Sequence, residues 1–81
     1  MWQLEVTDTF SGSPNYCWVI RGTSKAKTRR GVIEAIKTLA GWRGWVRVNA
    51  TDFGDMIEVR PTANSGVCQV AFATWSGHEE V

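Results

Sequence analysis

One stretch of helical periodicity lies between two regions in which apolar and polar residues alternate, and this change of period restricts the folds open to an 81-residue chain. Apolar residues recur every three or four positions along one face of the stretch, at Val32, Ile33, Ala35, Ile36, Leu39 and Ala40. Thr23 or Ser24 can cap the start of a helix, with Thr28 as a later alternative, and Gly41 stands where a helix C-terminal glycine belongs. The sequence therefore predicts an amphipathic helix over residues 25–40.

The flanking regions have the two-residue period of β-strands. The predicted strands cover residues 2–10, 16–20, 44–50, 56–60 and 67–75, and turn-forming segments separate them at 11–15, 51–55 and 62–66. The order β-β-α-β-β-β predicts the α+β class, with one antiparallel sheet, its last strand in the centre and the helix packed on one face. We expect a single compact domain over residues 1–81, with a frayed tail at 76–81.

Aromatic residues are numerous, with five Trp, three Phe and one Tyr. A core of this size does not accommodate all five indoles, so we expect at least one or two Trp side chains to be partly exposed at a contact surface. Packing in the core is the alternative for each of them. Cys17 and Cys68 are expected to be reduced, buried thiols, with a disulfide between them or between two subunits as the alternative. Two cysteines this far apart do not make a zinc site.

Neither a membrane span nor a signal peptide is expected. No apolar run approaches the roughly 18–20 residues that cross a bilayer. The first five residues lack the basic and apolar regions of a secretory signal. We therefore expect a cytoplasmic protein that does not bind membranes.

The charges are strongly segregated, although the net charge is only +1. Eight of the nine basic residues and only one of the eight acidic residues lie between Arg21 and Arg47, which gives this segment a net charge of +7. The flanks hold the one remaining basic and seven acidic residues, a net charge of −6. Such asymmetry favours an anionic partner over a small-molecule reaction.

Two groups of residues within the basic segment are candidates for contact with a partner. Cations crowd the predicted start of the helix, where the helix dipole is already positive and an anion would be stabilised. Trp and Arg alternate just after the helix, and these two residue types are enriched at binding hot spots. The predicted partner-binding residues are Lys25, Lys27, Arg29, Arg30, Lys37, Trp42, Arg43, Trp45 and Arg47. The alternatives are a solvated basic face and, for Trp45, a second small core.

A possible second surface is acidic and comprises Asp52, Asp55 and Glu58. These carboxylates can complement a basic partner, or they can oppose the basic segment of another copy in a homodimer. Their spacing does not match a Ca²⁺-binding loop, so we expect no metal site.

The residues needed for catalysis are not evident. The single His78 lies in the polar tail without a placed partner, and Cys17 has no base or cation near enough to activate it. Residues 41–44 contain two glycines but lack the strand-to-helix context of a phosphate-binding loop. We therefore expect neither enzymatic activity nor a cofactor.

These features favour a small protein-binding module that blocks or adapts a larger protein. A nucleic-acid-binding domain that uses the basic helix and the Trp–Arg strand is the alternative. The low net charge and the element order, which differs from those of the common RNA-binding domains, weigh against that alternative.

In size and general character the chain resembles the small phage-encoded inhibitors of host defence, including the anti-CRISPR proteins. The resemblance concerns a compact α+β domain of this length without recognisable motifs, so it carries over no functional residue. It implies an inhibitor in the cytoplasm of a bacterial host that docks on a nucleoprotein effector complex and occludes its nucleic-acid or subunit site. The acidic flanks would then imitate DNA phosphates, or the basic helix would bind an acidic patch.

Overall fold

The structure, a computed structural model, describes residues 1–11, 13–42, 46–62 and 66–75. The described part contains five strands and one helix in the predicted order, which confirms the α+β class. The elements are β1 (Trp2–Phe10), β2 (Ser13–Ser24), α1 (Arg29–Ala40), β3 (Val48–Asp52), β4 (Met56–Pro61) and β5 (Gln69–Trp75). The predicted frayed tail at 76–81 lies outside the described residues.

The five strands form one sheet in the order β2-β1-β5-β4-β3, and every neighbouring pair is antiparallel. The last strand is central, as predicted, although its pairing begins at Gln69 rather than at residue 67. The two edges belong to β2 and β3, which α1 connects. The helix therefore passes from one edge of the sheet to the other across a single face.

Most of the core lies between this helix and the sheet. Val32 and Ile36 of α1 are fully buried, which confirms the predicted apolar stripe. The sheet contributes Leu4, Val6, Ile57, Val59, Ala71 and Ala73, and Trp42 and Val46 complete the cluster. Burying each Val, Leu or Ile side chain contributes about 1.5–3 kcal/mol, so this single layer accounts for much of the stability of the fold.

Gly22 on β2 allows the helix to approach the sheet edge closely. A Cβ atom at this position would lie 3.1 Å from both methyl carbons of Leu39. A larger residue at this position would therefore require the Leu39 side chain to shift by a few tenths of an ångström.

The predicted start of the helix was wrong, because α1 begins at Arg29 and not at residue 25. The cap is Thr28, the later of the candidates, whose Oγ1 accepts a hydrogen bond from the Gly31 N–H at 3.1 Å. Ser24 instead accepts from the Ala26 N–H at 3.1 Å, which forms a local turn ahead of the helix. The expected C-terminus is confirmed: Gly41 adopts a left-handed conformation with φ of 74°.

The third strand also differs from its prediction at 44–50. Pairing with β4 begins at Val48 and continues to Asp52, so two residues assigned to the following turn belong to the strand. Residues 53–55 make a tight connection in which the Phe53 N–H donates to the Met56 carbonyl at 2.8 Å, and Gly54 has a φ of 98°. Residues 44 and 45 lie outside the described part of the chain.

The β1–β2 hairpin is present as expected, but it contains an unpredicted bulge. Thr7 pairs with Val19 and Thr9 pairs with Pro14, so the four residues at 15–18 stand opposite Asp8 alone. The bulge lies over Thr7, whose Oγ1 accepts from the Tyr16 N–H at 3.0 Å. This covering explains why Thr7 is fully buried although it points away from the helix.

Both cysteines are exposed and unpaired, so the prediction that they are buried was wrong. Cys17 lies in the bulge of an edge strand, and Cys68 lies just before β5. Because β1 separates β2 from β5, the backbones of these two strands lie about two strand spacings apart, roughly 9–10 Å.

Candidate functional site

Four of the predicted partner-binding cations lie together at one end of the sheet. Ser24 pairs with Trp2, and Trp2 pairs with Trp75, so these residues form a row across the strand ends. The chain then leaves β2 and reaches Arg29, whose side chain contacts Asp52 on the opposite edge strand. Residues 25–28 therefore cross this end of the sheet. We call the surface formed there the basic end, and its residues are Lys25, Lys27, Arg29, Arg30, Phe53 and Trp75.

Arg29 is the member of the basic end that has a carboxylate partner. Its guanidinium forms an ion pair with Asp52, although 68% of the Arg29 side chain remains exposed. The Asp52 carboxylate also accepts from the Gly54 N–H at 2.7 Å. Asp52 therefore stabilises both the tight β3–β4 connection and the approach of the helix start to β3.

Lys25, Lys27 and Arg30 are exposed, and none of them has an ion-pair partner among the residues that the structure describes. Only Arg30 joins Arg29 in the first turn of α1, which contains no acidic residue. Lys25 and Lys27 precede the helix, so the expectation that all four cations occupy its first turns is corrected. They nevertheless remain at the same end of the molecule as the helix N-terminus.

Two exposed aromatic side chains accompany these cations, and the sequence did not single them out. Phe53 is 57% exposed at the β3–β4 connection, and Trp75 is 45% exposed at the end of β5. The Trp75 ring packs edge-to-face on Trp2, with the ring centroids 5.3 Å apart. Its backbone N–H donates to the Asp55 carbonyl at 2.7 Å. These contacts fix the exposed Trp75 indole in place. The position of Trp75 at the end of a predicted strand was the sequence signal that could have indicated its exposure.

The remaining predicted contact residues lie elsewhere or have another role. Lys37 is in the last turn of α1, and Arg47 is exposed beside Thr62, whose N–H donates to the Arg47 carbonyl at 2.9 Å. Arg47, which precedes β3, is at the end of the sheet opposite the basic end. Arg43 and Trp45 fall outside the described residues.

Trp42 does not form part of an exposed contact surface, because only 9% of it is accessible. Its backbone N–H donates to the Lys37 carbonyl at 3.0 Å, while the Gly41 N–H donates to the Thr38 carbonyl at 3.2 Å, as in a Schellman motif. The indole Nε1 donates to Gln69 Oε1 at 2.5 Å. Trp42 thus joins the helix end to β5.

The predicted acidic residues do not form one surface. Asp52 is engaged with Arg29 and Gly54, and Asp55 lies exposed in the adjacent connection. Glu58 alternates onto the sheet face away from the helix, where it contacts Arg60. A partner that binds Asp52 and Asp55 would therefore approach the basic end rather than a separate acidic face.

A second exposed aromatic group lies at the tip of the β1–β2 hairpin and includes Phe10, Tyr16 and Trp18. Tyr16 has a φ of 57°, which is unusual for a residue other than glycine.

The Asp8 carboxylate holds the bulge through hydrogen bonds from the Asn15 side chain and from the Cys17 N–H, both at 2.9 Å. The hydrogen bond from Asn15, followed by those from backbone N–H groups, lowers the pKa of Asp8 below its ordinary value of 3.8 despite partial desolvation.

An open depression of about 440 Å³ lies beside the end of the helix. The described residues that line it include Trp42, Val46, Val67, Cys68 and Gln69. The described lining contains no Asp, Glu or His, so it brings no acid and base together. In the described ranges, no three His, Cys, Asp or Glu side chains are grouped closely enough to hold a metal ion.

No protein-family model, curated protein or solved structure matches the chain. Within the described residues, no helix is both long and apolar enough to cross a membrane.

Proposed function

We propose that this protein is a small, non-catalytic binding module that docks on a larger protein or nucleoprotein complex through its basic end. The observation that carries the proposal is the presence of three exposed cations, Lys25, Lys27 and Arg30, beside a fixed and exposed Trp75. None of the three has a carboxylate partner within the part of the chain that the structure describes. Arg and Trp are the residue types most enriched at binding hot spots.

The local energetics support a role for these cations in binding. Arg29 and Arg30 stand in the first turn of α1, where the helix dipole makes a positive charge unfavourable by about 0.3–1 kcal/mol. Asp52 offsets this cost for Arg29 only. An anionic surface on a partner would offset it for Arg30 and would also neutralise Lys25 and Lys27.

The proposed biological role is inhibition of the anti-CRISPR type in a bacterial host, where the module would occlude a nucleic-acid or subunit site of an effector complex. The basic end extends across about the width of the sheet. Its aromatic side chains can be buried in a contact, and its cations can attract an acidic patch on such a complex. Two features support this proposed role: the basic end, and the resemblance of the sequence in size and general character to the small phage-encoded inhibitors.

An interference assay tests the inhibitory role. The protein would be expressed in a panel of bacterial strains, each with one type of CRISPR immunity against a plaque-forming phage. We expect plaque formation to be restored in at least one strain, and the combined variant Lys25→Glu, Lys27→Glu, Arg30→Glu to lose that effect. The control variant Lys25→Arg, Lys27→Arg, Arg30→Lys keeps each charge and should retain the effect.

Two outcomes would contradict this proposal. One is full activity of the charge-reversed variant in a strain where the wild type restores plaques. The other is the absence of restoration in every strain when the protein is folded and expressed. Thermal melting of both variants shows whether the substitutions changed binding or folding.

Nucleic-acid binding is the second candidate, and the position of Trp75 beside the cations is the observation that favours it. Exposed aromatic rings stack on bases, and Lys or Arg side chains pair with phosphates. Titration of Trp fluorescence with single- and double-stranded oligonucleotides would test this candidate. Quenching that weakens steeply as salt increases would support phosphate contacts, whereas unchanged fluorescence at low salt would exclude them.

A further inference from the structure

The two edges of the sheet differ greatly in length. β2 forms one edge and has 12 residues, whereas β3 forms the other and has five. Long edge strands present unpaired backbone groups, and natural proteins commonly protect them with lysines, prolines or bulges. In β2 the proline and the bulge are confined to residues 14–18, so the regular part from Val19 to Ser24 has neither.

The hydrogen bonds around β1 show which groups of β2 face outward. The Thr9 N–H donates to the Cys68 carbonyl at 3.1 Å, so odd-numbered residues of β1 direct their backbone groups toward β5. Even-numbered residues of β1 therefore bond to β2, where Val6 stands opposite Ile20. It follows that Val19, Arg21 and Thr23 direct their N–H and carbonyl groups away from the sheet.

The side chains along this edge are suited to burial. Ile20 and Trp18 are each 39% exposed, although both are large and apolar. Arg21 is the only charged residue from Val19 to Ser24, and it faces Glu5 of its own sheet with a separation of 3.5 Å. Little on this segment would repel another strand.

We propose that β2 pairs with β2 of a second copy of this chain, in an antiparallel arrangement whose two-fold axis passes beside Ile20. The two sheets then form one continuous sheet of ten strands. The free backbone groups of Val19 and Arg21 pair across the axis with those of Arg21 and Val19 of the second copy.

The charges and sizes along β2 favour this register over those centred on Arg21 or Gly22. Centring on Arg21 would place two guanidinium groups directly opposite each other, which is destabilising. Centring on Gly22 would oppose Ile20 with Ser24 and leave Trp18 beyond the end of the strand. Centring on Ile20 brings the two Ile20 side chains together and places Trp18 opposite Gly22 of the second copy, beside the Leu39 methyl groups that pack over that glycine.

This pairing is closed, because the same surface of each copy is used and no further β2 edge remains. Pairing of β2 with β3 would instead continue from copy to copy. In the proposed dimer the strands run in opposite directions, so the two basic ends point away from each other. The proposal goes beyond the binding function proposed above, and its tests need no partner.

Sedimentation equilibrium of the full chain tests the association. We expect a dimer at micromolar concentration, and we expect Ile20→Lys to lower the mass to that of a monomer because two ammonium groups would meet at the axis. Ala50→Lys is the matched control, since Ala50 is exposed on the other edge strand, and it should remain dimeric. Thermal melting would verify that the Ile20→Lys variant is folded.

A wild type that is monomeric at every concentration would overturn the proposal, and so would an Ile20→Lys variant that is folded and still dimeric. A monomer whose β2 amides become protected only when an added peptide binds would assign this edge to a partner strand instead.

Cross-linking tests the register. In a Cys17→Ser, Cys68→Ser background, Ile20→Cys should form a disulfide-linked dimer with oxidised glutathione, since facing residues of a non-hydrogen-bonded pair lie about 4.5 Å apart at Cα. Val19→Cys is the matched control and should not cross-link, because it faces Arg21 of the second copy. Efficient cross-linking of Val19→Cys, or none of Ile20→Cys in a dimer, would overturn this register.

Discussion

Asp8 fixes the irregular part of the β1–β2 hairpin by accepting a hydrogen bond from the backbone N–H of Cys17, at 2.9 Å from Oδ1. Its other oxygen, Oδ2, accepts from the Asn15 side chain at 2.9 Å. The Asp8 carboxylate thus provides acceptors for the Cys17 N–H and the Asn15 side chain, while Thr7 Oγ1 accepts from the Tyr16 N–H. The aromatic side chains of the hairpin tip owe their positions to this arrangement.

We predict that Asp8→Ala loosens the bulge and lowers the melting temperature. The substitution removes the acceptor for the Cys17 N–H and for Asn15, and it leaves the exposed aromatic residues on a mobile segment. Limited digestion with chymotrypsin should therefore become faster after Tyr16 and Trp18, and mass spectrometry would locate the cleavage.

Asn15→Ala is the control for this prediction, because it removes one of the two contacts and leaves the backbone hydrogen bond. It should lower the melting temperature less than Asp8→Ala. Equal digestion rates for the wild type and Asp8→Ala would mean that the bulge is held by other contacts.

The Asp8 carboxylate also makes the stability of the protein depend on pH in the acid range. The pKa of Asp8 lies below its ordinary value of 3.8 in the folded protein, mainly because of the hydrogen bond from Asn15. Its stabilising contribution is therefore complete above about pH 4 and is lost as the pH falls through the lowered pKa. The difference in melting temperature between the wild type and Asp8→Asn should be constant near neutrality and decrease below pH 4. A difference that grows on acidification would contradict this assignment.

The elements of the fold were predictable where a side-chain period covered a whole element. Val32 and Ile36 recur at helical spacing, and Ile57 and Val59 alternate, so their burial followed from the sequence. The helix start did not follow, because Ser24 and Thr28 are both suitable caps. The structure uses Ser24 for a local turn instead, which lets the chain cross the end of the sheet before the helix begins.

The candidate site was only partly predictable for a similar reason. The charge pattern identified the cations, but it could not show that Trp75 joins them, since that depends on the pairing of β5 with β1 and β4. The burial of Trp42 was also missed, because a Trp beside Arg suggests a contact surface unless the helix end and Gln69 are known to enclose it. Cys17 was expected to be buried because a reduced thiol acts as a small hydrophobe, yet it lies on an edge strand.

We predict that the Arg29–Asp52 contact contributes little through its charges. Arg29→Ala should lower the free energy of unfolding by less than about 1 kcal/mol, since the guanidinium is largely exposed. Asp52→Ala should cost about 1–2 kcal/mol, because the Gly54 N–H also loses its acceptor. Urea unfolding of both variants and of the double variant would measure the two contributions.

Arg30→Ala serves as the control, because Arg30 has no carboxylate partner in the described part of the chain. It should leave the free energy of unfolding nearly unchanged or slightly raised, because a cation in the first turn of a helix is unfavourable. A large loss with Arg29→Ala, comparable to that with Asp52→Ala, would show that the cation is structural.

Trp42 provides the sharpest test of how the helix is joined to the sheet. Trp42→Ala should lower the free energy of unfolding by about 3–5 kcal/mol, because it empties a buried position in the core. Trp42→Phe should cost less, since it keeps an aromatic ring but leaves Gln69 Oε1 without the indole N–H.

Trp18→Ala is the matched control on the exposed edge, and in the monomer it should cost much less than Trp42→Ala because its indole is already partly in water. Urea unfolding at protein concentrations below dimer formation would compare the three variants. The emission spectrum gives a second measure, since loss of the buried Trp42 should shift the remaining fluorescence to longer wavelength. Equal costs for Trp42→Ala and Trp18→Ala would mean that Trp42 does not join the helix end to β5.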